Sequence, residues 1–142
     1  MGIVNDSFNL KRFVEAQDPI YDRVRSELKS GAKRSHWMWF IFPQIAGLGY
    51  SATAARYAIA SLEEAKAYLQ HPILGARLIE CTELVNRISG QNVHDIFGSP
   101  DDLKFRSSMT LFAKAAPDNE VFKLAIQKYF AGEYDHRTEE LL

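Results

Sequence analysis

Leu74, Leu78, Cys81, Val85 and Ile88 stand four, three, four and three residues apart. That period gathers all five on one face of an α-helix; a strand, whose side chains alternate, could not gather them. Arg77, Glu80, Glu83 and Arg87 fall on another face, with Glu83 and Arg87 in the i,i+4 order that favours an ion pair. Pro72 opens the run and Gly90 stops it. A helix with so continuous an apolar stripe needs partners to cover it, and the rest of the chain supplies them.

Start and stop signals recur on both sides. Asp6 or Ser7 reads as the cap of a helix through "FNLKRFVEAQ". Asp18 and Pro19 read as cap and first turn of a helix that carries Ile20, Val24 and Leu28 and ends at Gly31. Ser35 reads as the cap of a short helix from His36 to about Phe42, stopped by Pro43. "SATAARYAIA" reads as a further short helix, and Ser61 caps "LEEAKAYLQ". Ser99, Pro100 and Asp102 read as a capping box ahead of "DDLKFRSSMTLFAKAA", Asp118 as the cap of "NEVFKLAIQKYFAG", and Asp135 as the cap of "HRTEELL". Strand alternation is only local. The expectation is an all-α fold, one domain over residues 1–142 with about eight short and medium helices, and Leu78, Cys81, Val85 and Phe112 in its core.

Charge and length exclude several classes. The net charge of -1 provides no field of one sign, so nucleic acid is not an expected partner. The apolar run from Trp37 to Phe42 is far short of the about 20 residues a membrane span needs, and no basic amphipathic face accompanies it. The single cysteine, Cys81, fits a reducing compartment, and "MGIVNDSFNLKRF" lacks the pattern of a signal peptide. A cytoplasmic location and a monomer are expected, the latter because the helices read as amphipathic rather than apolar all round.

The chemistry-bearing residues are sparse. His36, His71, His94 and His136 are scattered, with no HExxH or CxxC spacing, so neither a metal nor a cofactor is expected. "AGLGYS" has Gly47 and Gly49 but not the lysine-serine ending of a phosphate loop, and reads as a turn. Lys104, Ser107 and Ser108 share one face of a helix. A serine beside a neutral lysine is a possible nucleophile and base. The plainer reading is a solvated lysine with small packing serines, so no catalytic residue is assigned. In "SHWMWFIFPQ", Met38, Ile41 and Phe42 read as core, whereas Trp37 or Trp39, beside Lys33, His36 and Gln44, reads as part of a functional surface. The binding residues expected are therefore Lys33, His36, Trp37, Trp39, Gln44, Lys104, Ser107 and Ser108, meeting with Phe105 around one cleft.

Four blocks, "GAKRSHWMWFIFPQIAGLG", "EEAKAYLQHPILGARLIEC", "DIFGSPDDLKFRSSMTLF" and "DHRTEELL", resemble in order those of the domain-of-unknown-function 1810 family, over Phe8 to Leu142. The resemblance implies a small, mainly helical cytoplasmic protein with no established enzyme activity and no known cofactor. One eukaryotic branch of that family is similar to a folding chaperone for the GTPase that carries aminoacyl-tRNA to the ribosome. The leading expectation is a protein-binding or chaperone-like module with a GTPase or another protein as partner. The competing one is a small-molecule or anion-binding protein, or an enzyme, with a Lys/Ser/His pocket.

Overall fold

A computed structural model describes residues 6–142, and ten helices follow one another along them: α1 (Lys11–Gln17), α2 (Tyr21–Lys29), α3 (Met38–Ile41), α4 (Ala52–Tyr57), α5 (Leu62–Gln70), α6 (Leu74–Asn86), α7 (Val93–Phe97), α8 (Asp101–Ala115), α9 (Glu120–Phe130) and α10 (His136–Leu141). The only extended pairing among these residues is a parallel bridge between Ile45 and Ile59. The fold is all-α. None of its helices is long and apolar enough to cross a membrane.

Helix α8 is the centre. From Phe105 to Ala115 its residues are buried apart from Arg106 and Lys114, and α5, α7, α9 and α10 pack round it. Phe105 stands among Phe42, Phe97, Tyr129 and Phe130, with ring centres 4.8–6.4 Å away. Helix α6 lies against α2, α5 and α9 through the stripe read from its spacing: Leu74, Leu78, Cys81, Val85 and Ile88 are all buried, as is Phe112. Gly75 permits the closest approach. A Cβ there would stand 2.0 Å from the Leu69 carbonyl oxygen, so the α5–α6 corner requires glycine.

Several caps agree with the sequence. Ser61 accepts from the Glu64 amide and Asp135 from that of Thr138, whereas Asp6 accepts from the amides of Leu10 and Lys11 without standing at the cap position of α1, which is Leu10. Others are corrected. Asp18 does not cap α2, which begins at Tyr21 without a side-chain cap; Asp18 instead closes α1 and pairs with Arg77 at 2.8 Å. Ser35 is drawn away from α3 to the Glu27 carboxylate, and α3 is only four residues long. Helix α6 starts at Leu74, after His71 Nδ1 accepts from the amides of Ile73 and Leu74. Helix α8 carries no side-chain cap from Ser99, and Asn119 rather than Asp118 caps α9. Glu83 and Arg87 are exposed and form no ion pair among the described residues. The additional helix, α7, starts with a capping box in which Asn92 and Asp95 each accept the other's amide.

Candidate functional site

A buried glutamate organises the tryptophan block. Glu27 on α2 faces the segment leading into α3, where Oε1 accepts from the amides of Arg34 (2.7 Å) and Ser35 (3.0 Å) and from Trp37 Nε1 (3.0 Å), and Oε2 accepts from Ser35 Oγ (2.6 Å). Burial alone would raise this carboxyl; the four donors more than offset it and hold it down at about 2. A second clamp acts one turn further on, where Gln17 Nε2 donates to the Phe40 carbonyl at 2.7 Å and to Tyr68 Oη at 3.0 Å. Between these clamps the two tryptophans separate. Trp37 is 1% exposed and packs on Phe42, whereas Trp39 is turned outward and half-buried.

The outward face of Trp39 meets α8. Lys104 Nζ sits 4.4 Å from the centre of the Trp39 ring, a cation–π pair. Trp39, Gln44, Lys104 and Ser107 line one cleft of about 420 Å³, so part of each predicted block does converge there. The same lining contains Leu48, Tyr50, Asp135 and Arg137. Ser107 Oγ lies within hydrogen-bond reach of the Leu103 carbonyl (3.2 Å) and of Asp135 Oδ2 (3.1 Å), the oxygen that caps α10. Gln44 is fixed through its backbone: its carbonyl accepts from the Ile59 amide, and the Ala46 amide donates to the Ile59 carbonyl, both at 2.8 Å. These two bonds close the neck of the segment that carries the glycine loop and α4.

The other predicted site residues lie elsewhere. Trp37 is core, its indole N–H taken by Glu27. Lys33, its side chain 7% exposed, pairs with Asp101 Oδ2 at 2.8 Å and lies over the Trp37 ring. Ser108 is fully buried, and its Oγ has no partner among the described residues. Phe105 is core as well, and His36 is exposed but does not line the cleft. The helical spacing grouped Ser107 with Ser108; α8 is enclosed on so many sides that only Ser107 reaches the cleft.

Sequence reasoning missed Leu48, Tyr50, Leu103, Asp135 and Arg137 as cleft residues. Tyr50 carried a readable signal, an aromatic directly after a glycine-rich turn, and it is 92% exposed. Arg137 carried none, because only the fold brings α10 to the glycine loop, where Arg137 Nη2 reaches the Gly47 carbonyl at 3.5 Å. Gly47 has φ +104°, and the Leu141 side chain lies where a Cβ would make close contact at 3.3 Å. Among the described residues no group of three or more His, Cys, Asp or Glu is placed to hold a metal ion.

Residues 7–142 match the model of the family described as "Protein of unknown function (DUF1810)". The chain belongs to the DUF1810 family. All the cleft residues fall within the matched span. The crystal structure of the conserved hypothetical protein Rv1873 from Mycobacterium tuberculosis is similar to this DUF1810 protein at 58% sequence identity and a TM-score of 0.96. The likeness covers 96% of this chain and 98% of that one. No curated protein matches the chain.

Proposed function

We propose that this DUF1810 protein is a binding module that docks a segment of another protein in the cleft between α3, the glycine loop and α8. The observation that carries this reading is the Lys104–Trp39 pair at the cleft wall, with Tyr50 (92% exposed) and Leu103 (58% exposed) beside it. Exposed aromatic and aliphatic side chains next to a cation–aromatic pair have the make-up of an interface core rather than of ordinary surface. Within the cleft Ser107 lies against Asp135 and a carbonyl, and Lys104 faces an indole and a carboxylate, so Ser107 and Lys104 form no hydrogen bond with each other among the described residues. In this reading the protein acts as a monomer in the cytoplasm. The chaperone-like eukaryotic branch of the family makes the GTPase that carries aminoacyl-tRNA the first partner to try.

Photo-crosslinking from inside the cleft tests the proposal. A benzoylphenylalanine at Tyr50 or Leu103 should give discrete adducts in cells, and Lys104→Ala should suppress them. The same group at Leu124, in a separate hollow with Asn119 and Glu120, should give none of those adducts. Equal adducts from all three positions would contradict it. A competing reading, a small anion as ligand, draws on the presence of both Lys104 and Arg137 in the cleft. It requires inorganic phosphate or a nucleotide at millimolar concentration to raise the melting temperature in a Lys104-dependent manner.

A further inference from the structure

Resting on that docking reading, we infer that the occupant is a peptide segment bearing a carboxylate close to an aliphatic side chain, the two being read in adjoining hollows that share Trp39. The second hollow is smaller, about 200 Å³, and shares Trp39, Gln44, Gly49 and Ala54 with the cleft. Its remaining wall consists of Ile45, Ala46, Gly47, Ala55, Tyr57 and Ala58, none of which carries a charge. The small side chains of Ala46, Ala54, Ala55 and Ala58 leave room for a side chain of leucine size, and no charged group lies in the wall to hold a polar one.

The charges in the larger cleft set the sign and the size of the partner's charge. Asp101 pairs with Lys33 at 2.8 Å through one oxygen and with Lys104 at 3.5 Å through the other, so the three groups together keep one net positive charge. Lys104 already covers one face of the Trp39 ring, which removes that face as a seat for a ligand cation. Arg137 adds a second positive charge; among the described residues its one hydrogen bond is the long one to Gly47. Asp135 lines the same cleft with a negative charge. Two cations against one carboxylate leave about one positive charge, which a single carboxylate neutralises, whereas a phosphate dianion would keep one negative charge uncompensated as it leaves water. Gln44, on the wall common to both hollows, can pair with the backbone of an extended segment.

A displayed library of random linear peptides, selected on the immobilised full-length protein and counter-screened on Lys104→Ala and Arg137→Ala, tests this. The expected result is a cleft-dependent set enriched in Asp or Glu within three positions of Leu, Ile or Val. Synthetic members should lose about tenfold in affinity on Lys104→Ala, the loss typical of one charge-assisted contact. Phosphoserine in place of the acidic residue should weaken binding. Ala55→Leu, which fills the second hollow, should abolish the aliphatic preference and keep the acidic one. Cleft-dependent peptides without an acidic residue, or a phosphopeptide that binds more tightly, would overturn the inference and leave the docking site standing. Peptides that bind equally to all variants, or no peptide at all, would overturn both.

Discussion

The indole nitrogen of Trp37 donates to Glu27 Oε1 at 3.0 Å, joining α2 to the start of α3. Glu27 is 8% exposed, so this carboxylate is kept charged inside the fold by its donors. The link ties stability to the geometry of the site, because the same segment turns Trp39 outward two residues later.

Glu27 should dominate part of the acid limb of the stability curve. Its carboxyl is held at about 2 in the fold against an ordinary value of 4.5. A depressed carboxyl contributes stability that is fully present above the unfolded value and is lost as pH falls from about 4.5 towards about 2. The contribution at neutral pH is on the order of 2–3 kcal/mol. Glu27→Gln should therefore be destabilised at pH 7 in urea unfolding, and its deficit relative to the parent should shrink across that window. A deficit independent of pH between 5 and 2 would mean that Glu27 acts through shape alone.

Gly75→Ala sets two effects against each other. In the interior of a helix, alanine is favoured over glycine by about 1 kcal/mol. Here the added methyl meets the Leu69 carbonyl oxygen at 2.0 Å, and backbone must move. Overpacking of this kind costs about 1–3 kcal/mol and occasionally more. The variant should melt below the parent; one that melts above it would show that the α5–α6 corner yields freely.

Phe105→Ala should be among the costliest changes to the core, about 3–5 kcal/mol, because four aromatic rings surround the vacated space. Phe105→Leu should recover much of that loss. A cost for the alanine variant below about 1 kcal/mol in urea unfolding at unchanged slope would place Phe105 outside the core.

Cys81 should be unreactive in the native state. Burial pushes its thiol up to about 12, while the nearby Tyr21 hydroxyl, at 3.8 Å, opposes this only in part. Labelling by a thiol reagent at pH 8 should be at least about a hundredfold slower than in the unfolded chain. Equal rates would show that α6 opens readily.

The long helices were legible because their apolar stripes run for several turns: Leu74 to Ile88 lies buried as spaced, and Ser61 and Asp135 cap as read. The short ones were not. Helix α3 has four residues, too few for periodicity to tell Trp37 from Trp39, and that choice decides which ring is core. Helix α7 has five residues, too few for an apolar stripe, and its start is marked only by the Asn92–Asp95 box. Glu27 looks like any solvated glutamate on an amphipathic helix; its donors lie seven to ten residues on and converge only through the Gly31 turn. The partner of Lys33 was invisible for the same reason, since Asp101 is distant in sequence.

The chain has two tryptophans, so an amide-correlation NMR spectrum of the ¹⁵N-labelled protein holds two indole signals, and they report directly on the central claim. On titration with an acidic–aliphatic peptide selected on the intact protein, the Trp39 indole signal should shift in a saturable manner, while the Trp37 signal, held by Glu27, should stay in place. A peptide that binds while leaving the Trp39 signal unmoved, or that moves Trp37 instead, would contradict the assignment of the cleft as the functional surface.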